Sequence, residues 1–328
     1  MPVLEVDNLS VHFKTEEGLA RAVDGVSFAV EEGKTHVLIG ESGCGKSVTA
    51  LAILGLLPPN NSLIPSGAIR LAGNDILALG RADYRELRGS EMAMIFQEPM
   101  TALNPVMKVG VQIREAIDQH PERALDGGAA TGDAKYRRTL ELIEQTGMSE
   151  PDKIYQKYPH ELSGGMRQRI MIAMALACRP RILIADEPTT ALDVTIQAQI
   201  LELMRDLQSS LGTAILLITH NMGVVAQAGH SMSVMYAGQV VESGAVRDVF
   251  ERPCHPYTRA LFEALPTKMG THRGKLNAIP GSVPPATAYE TLTSPCRFHD
   301  RCQFQDERCF QKSDRAGHKA WCARESAN

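Results

Sequence analysis

GESGCGKS, Gly40 to Ser47, fits the pattern G-x-x-x-x-G-K-[ST] of a phosphate-binding loop. In such a loop, glycines at Gly40, Gly43 and Gly45 let the backbone N–H groups from Glu41, Ser42 and Cys44 onward close around phosphates without side-chain obstruction. Lys46 then reaches the β- and γ-phosphates, Ser47 offers a hydroxyl to Mg²⁺, and a helix starting there through Val48 points its positive dipole end at the anion. The flanks agree. THVLI, Thr35 to Ile39, is a short β-prone run, and SVTALAILGLL after the loop is apolar at helical spacing, giving strand, loop and helix in the required order.

A second element is RPRILIADEP, in which a largely apolar run leads into Asp186 and Glu187. This predicts a buried parallel strand ending in two carboxylates. Asp186 is placed to join a Mg²⁺ shell and Glu187 to orient or deprotonate an attacking water, the division of labour that phosphoryl transfer needs. A solvated acidic pair at a strand end is the alternative for these two residues taken alone. A third element, LSGGMRQ at Leu162 to Gln168, separates this chain from most proteins that carry a phosphate loop.

With these three elements the chain resembles the ATP-binding subunit of an ABC transporter. The resemblance implies an α/β P-loop fold with a helical subdomain, and head-to-tail dimers in which each ATP lies between one subunit's loop and the other's signature. Ser163, Gly164 and Gly165 would then face the γ-phosphate from across the interface. It further implies that Gln97, in MIFQEP, senses Mg²⁺ and water and couples to the membrane subunit. Ala191, Leu192 and Asp193 resemble the loop linking the two active sites, and His220, in LLITHN, resembles the switch histidine that contacts the γ-phosphate. Phe13 would stack on adenine, although LSVHF reads equally well as a strand that buries it. Met166 replaces the commonest glutamine, Cys44 stands where serine is common, and Asn221 follows the switch histidine where aspartate is common. None of the three removes a phosphate ligand.

The pattern divides the chain into an ATP-binding core at 1–97 and 162–244, a helical subdomain at 98–161, and an extension at 245–328. Strands are expected over Leu4 to Phe13, Gly25 to Val30, Thr35 to Ile39, Ala68 to Ala72 and Ala214 to Thr219, with a helix from Val194 to Leu211. Without an internal repeat, the second ATPase domain must come from another chain.

The chain has 328 residues, 44% of them hydrophobic, and a formal charge of −4. That is enough for more than one packed unit, and the charge gives no reason to propose a nucleic-acid partner. Neither an apolar run of membrane-spanning length nor a signal-peptide pattern is found, so membrane association is expected to come through partners.

Within the extension, RPCHPYTRALFEALP, Arg252 to Pro266, and PGSVPP, Pro280 to Pro285, resemble the tail of ATPases that serve oligopeptide, dipeptide and nickel importers. Pro253 and Pro256 predict a turn before an amphipathic helix. Of seven cysteines, Cys296, Cys302, Cys309 and Cys322 cluster near the C-terminus. Four thiols in a cytoplasmic chain suggest a metal, either tetrahedral zinc or an iron–sulfur cluster, with structural cysteines as the plain alternative. Some relatives of this tail carry a [4Fe-4S] cluster, which favours that reading, and Phe298, Phe304, Phe310 and Trp321 would shield it.

The expectation is therefore an ATPase, using ATP and Mg²⁺, that powers a dipeptide or oligopeptide permease at the cytoplasmic face of the inner membrane. Its partners would be a second ATPase subunit, two transmembrane permease subunits and, through them, an extracytoplasmic substrate-binding protein. Import of nickel or another small solute, a soluble ABC-type ATPase and a metal or redox sensor are the alternatives.

Overall fold

The computed structural model describes residues 1–97, 102–190, 192–264, 279–289, 296–305, 313–315, 318–320 and 322. Strands β1 (Pro2–Thr15), β2 (Gly18–Glu31) and β3 (Thr35–Ile39) lead to helix α1 (Lys46–Ile53). β4 (Ser62–Leu71), β5 (Asn74–Asp75), α2 (Arg81–Leu87) and β6 (Met92–Ile95) follow. Then come the helices α3 (Val109–Gln119), α4 (Pro121–Ala124), α5 (Gly132–Gln145), α6 (Pro151–Tyr155) and α7 (Gly164–Ala175). β7 (Ile182–Asp186), α8 (Val194–Leu211), β8 (Ala214–Ile218), α9 (Met222–Ala228), β9 (Ser231–Tyr236) and β10 (Gln239–Ala245) return to alternation. The chain continues through α10 (Val246–Glu251), α11 (Pro256–Glu263), β11 (Ser313–Arg315) and β12 (His318–Ala320).

These elements form two compact units. The first comprises Met1–Leu4, Val30–Thr35 and Ala72–Ile218, the second Glu5–Ala29, His36–Leu71 and Thr219–Asn328.

In the first unit β6, β7 and β8 run parallel, with Met92 opposite Ile182 and Ile182 opposite Ala214. All five residues of β7 and of β8 are buried, as expected of parallel strands covered on both faces. The helices α3 to α7 belong to the same unit. α3 buries Val109, Ile113 and Ile117, four apart on one face. Gly110 of α3 lies so close to the ring of Tyr155 that a Cβ would enter it, so this glycine sets how closely α3 and α6 approach. Thr131 caps α5 by accepting the Ala134 N–H at 3.2 Å.

In the second unit β3 is parallel to β9, with His36 opposite Ser231. β10 runs antiparallel to β9, and β12 antiparallel to β10. β2, β1 and β4 lie side by side in a separate sheet. The predicted strands are all present, β1, β2 and β4 longer than expected and β8 one residue shorter, and α8 has the predicted bounds. Among the described residues no helix is long and apolar enough to cross a membrane.

The metal reading of the tail, iron–sulfur or zinc, requires correction. Among the described residues no three His, Cys, Asp or Glu side chains gather as a metal site. Cys309, Phe310 and Trp321 lie outside the described residues. Cys302 is buried, and its sulfur accepts the Phe304 N–H at 3.4 Å. Phe298 packs among Tyr236, Tyr257 and His255 rather than over a cluster, and Phe304 is exposed. Aromatic packing and two buried arginines hold the described part of the extension: Arg297 pairs with Asp24, and Arg301 with Glu41.

Candidate functional site

The second unit carries the phosphate loop. β3 is wholly buried and delivers the chain at Gly40, whose φ is +150°. A Cβ on Gly40 would run into the carbonyl oxygen of Met235, and one on Gly45 would lie 2.5 Å from that of Ala22. Glycine is therefore required at both places by backbone packed against backbone, as well as by conformation. Gly45, with φ of 104°, is the N-cap of α1 and makes no side-chain cap bond. The first N–H groups of α1 thus begin beside the loop without a capping side chain. Lys46 is buried, and its Nζ donates to the carbonyl oxygens of Gly40 at 2.8 Å and Glu41 at 3.0 Å. Cys44 is buried beside it, Nζ to Sγ 3.6 Å, and burial pushes its thiol pKa up, so the sulfur stays neutral. Ser42, Gly43 and Ser47 are exposed, and Val48 is half-buried. An ammonium and a helix N-terminus beside a glycine-shaped loop make a donor-rich cradle of the kind a polyphosphate fits.

The same unit holds Phe13, half-buried on β1, and His220, exposed just before α9. Asn221, the departure noted after the switch histidine, caps α9: its Oδ1 accepts the N–H groups of Gly223 at 2.9 Å and Val224 at 3.4 Å. A short polar acceptor at this N-cap does the work that aspartate would do.

The first unit carries the acidic groups. Asp186 ends β7 in a buried position. Glu187 is half-buried with φ at +48°, an unusual backbone for a residue with a side chain, held by its N–H on the Ile218 carbonyl at 2.9 Å. Its Oε2 accepts the Gln97 amide at 3.0 Å and the Thr190 hydroxyl at 3.0 Å. Gln97 and Glu187, 90 residues apart, are thus brought into direct contact, which their separate motifs did not reveal. Thr190 was missed altogether. Its place three residues after the glutamate was the available signal.

Ser163 caps α7 by accepting the Met166 N–H at 3.3 Å. A Cβ on Gly165 would lie 2.8 Å from the side chain of Ile196, and one on Gly164 would lie 3.6 Å from Leu192. The signature glycines therefore pack closely on the start of α8, where Asp193 is the N-cap and accepts the Ile196 N–H at 2.9 Å. Ala191 lies outside the described residues.

A family model described as "ABC transporter" matches residues 23–190, and one described as "Oligopeptide/dipeptide transporter, C-terminal region" matches 241–309. A probable peptide ABC transporter ATP-binding protein of Sinorhizobium fredii is 47% identical over 98% of this chain and 95% of its own length. The oligopeptide transport ATP-binding protein AppD of Bacillus subtilis is 48% identical over 94% and 90%. The dipeptide transport ATP-binding protein DppD of Escherichia coli is 47% identical over 94% and 91%. Among solved structures, the dimeric post-hydrolysis ATP-binding cassette MJ0796, bound to ADP and Pi, superposes with a TM-score of 0.64 at 25% identity, covering 74% of this chain and 99% of that one.

Proposed function

Since this chain belongs to the ABC transporter family, we propose that it is the ATP-hydrolysing subunit of an importer of dipeptides or oligopeptides. The observation that carries hydrolysis is Glu187, fixed by Gln97 and Thr190 at the end of the buried strand that also bears Asp186. A carboxylate oriented by two neutral donors is held in place to orient and polarise an attacking water. The peptide assignment draws on the match over 241–309 and on the relatives named for peptide transport.

In this reading Lys46 and the loop from Gly40 to Val48 bind the β- and γ-phosphates, and Phe13 stacks on adenine. Ser47, Asp186 and Gln97 are the residues that would hold Mg²⁺, which when bound neutralises charge on the phosphates. Glu187 polarises the attacking water, and His220 and Lys46 stabilise the transferred phosphoryl group. Ser163, Gly164 and Gly165 serve the nucleotide of a second, unlike ATPase subunit, and Asp193 faces that subunit. Two transmembrane permease subunits hold the pair at the cytoplasmic face of the inner membrane and receive substrate from an extracytoplasmic binding protein. Segment 98–161 is the proposed contact with the permease, between the core at 1–97 and 162–244 and ahead of the extension at 245–328. Phe96, Val106 and Val111 are exposed apolar residues around the start of that segment, as a docking surface requires.

The test is Glu187→Gln in the complete transporter reconstituted in vesicles. ATP hydrolysis and dipeptide uptake should both fall at least about 100-fold while ATP still binds. Hydrolysis within about threefold of wild type would sink the role of Glu187, and hydrolysis without peptide uptake by the wild type would sink the peptide assignment.

A further inference from the structure

Glu41, the residue after the first glycine of the phosphate loop, is gripped by the C-terminal extension at two points. Its backbone N–H donates to the Tyr257 hydroxyl at 2.9 Å. Its carboxylate takes both arms of the Arg301 guanidinium, Nη1 to Oε2 at 2.8 Å and Nη2 to Oε1 at 3.2 Å. This is a fork-on-carboxylate pair, the geometry in which an arginine fixes direction as well as distance. It is also sheltered, with the Arg301 side chain 7% exposed and that of Glu41 27%.

The gripping residues are themselves fixed. Tyr257 and Tyr236 are fully buried with ring centroids 4.7 Å apart, and Phe298 packs on both at 5.3 and 5.2 Å. Arg301 also donates from Nη1 to the Tyr236 hydroxyl at 3.2 Å and from Nε to the Pro280 carbonyl at 2.8 Å. The guanidinium is thereby held on three sides. On the other side of Glu41, its carbonyl oxygen accepts the Lys46 ammonium at 3.0 Å. One residue therefore joins the extension to the lysine that serves the phosphates, and a shift at Glu41 is passed to Lys46 through a single hydrogen bond.

We propose that the C-terminal extension sets the shape of the phosphate loop, with Tyr257 and Arg301 as positioning residues that act on the bound nucleotide through Glu41. The proposal rests on the ATP-binding reading above. In it, an extension that otherwise looks like an appendage is part of what makes the loop competent.

The experiment is calorimetric titration of the full-length chain with Mg–ATP, with melting temperatures recorded alongside. It compares wild type, Arg301→Gln, Arg301→Lys, Glu41→Gln, the double variant of Arg301→Gln with Glu41→Gln, and Tyr257→Phe. Arg301→Gln should raise Kd about tenfold and Tyr257→Phe about threefold, since each releases one hold on Glu41. Adding Arg301→Gln to Glu41→Gln should change Kd by less than about twofold, because the contact is already gone. Arg301→Lys should recover only part of the loss, as an ammonium cannot make the fork. Should Arg301→Gln fail to fold, Tyr257→Phe carries the test, since it removes one oxygen and leaves the ring packing. Kd within about twofold of wild type in Tyr257→Phe and Arg301→Gln, with only the melting temperature lowered, would overturn the proposal, and so would an additive double variant. A wild-type chain that binds no Mg–ATP would instead overturn the functional reading on which this one rests.

Discussion

The phosphate loop and the C-terminal extension both hold irregular backbone in one shape, and they do so by opposite means. At Gly40 and Gly45 the loop is shaped by missing side chains, so that backbone can approach the carbonyls of Met235 and Ala22. The extension is shaped by side chains that reach far: Arg301 to Glu41, Arg297 to Asp24 and to the Ala237 carbonyl, and buried Glu242 to the start of α11. A loop made by absence is encoded in a run of a few residues and is easy to read. A segment held by such bonds is encoded in residues whose partners lie anywhere from 12 to 273 positions away.

The sharpest way to break this contrast lies inside the loop. Gly40→Ala puts a Cβ into the Met235 carbonyl and within 2.7 Å of the Cys44 sulfur, at a φ of +150°. Overpacking and backbone strain together should cost about 3 to 5 kcal/mol and abolish nucleotide binding. Gly43→Ala is the control, since its φ is +80° but nothing lies within 4 Å, and should cost only about 1 to 2 kcal/mol. Denaturant melts of the two variants should therefore differ clearly. Equal losses would mean that backbone conformation alone, rather than close approach, demands glycine at Gly40.

The difference in encoding also explains what the sequence made legible. The strand, loop and helix around Lys46, the buried strand ending at Asp186, and α8 were readable because period and motif are local. The contact between Gln97 and Glu187 was not, because each motif names a residue type but no partner. In the tail the cysteines drew attention to metal chemistry through their clustering, whereas Arg297 and Arg301 carry the attachment. The only local hint was two arginines four apart in PCRFHDRC, with Phe298 between them. Tyr257 falls at the start of the amphipathic helix that Pro253 and Pro256 predict, and period says nothing of where a hydroxyl points.

A second prediction tests how strongly the extension depends on few bonds. Glu242 on β10 is fully buried, and its two oxygens accept the N–H groups of Cys254 and His255, each at 2.8 Å, just ahead of α11. Glu242→Gln turns one acceptor into a donor facing a donor. Leaving a buried N–H without its acceptor should cost about 2 to 4 kcal/mol. If stability changes by less than about 1 kcal/mol, the aromatic cluster rather than the carboxylate anchors the entry to the extension.

The smallest effect compares the approaches to the two regions through their buried histidines. His36, on the strand entering the loop, is held between the hydroxyls of Ser231 at 2.8 Å and Ser233 at 3.0 Å and stacks on Phe28. His255, at the entry to α11, accepts the Tyr257 N–H on Nδ1 at 3.1 Å, which makes that nitrogen unprotonated. Burial lowers the pKa of His36 to about 4 and that of His255 to about 3, against an ordinary value of 6.5. Each histidine is therefore neutral in the folded chain while its unfolded counterpart takes up a proton below pH 6.5. The stability linked to each is complete above pH 6.5 and declines as pH falls, by up to about 1.4 kcal/mol per pH unit, until the folded group itself titrates. His36→Gln and His255→Gln should thus destabilise most at pH 7.5, and the gap from wild type should narrow toward pH 5 in denaturant melts at each pH. Because the His255 pKa is the lower, its gap should continue to close below pH 4, where that of His36 levels off. Gaps that stay constant with pH would mean that both histidines are protonated as readily folded as unfolded, and that neither region is as dry at its entry as the packing implies.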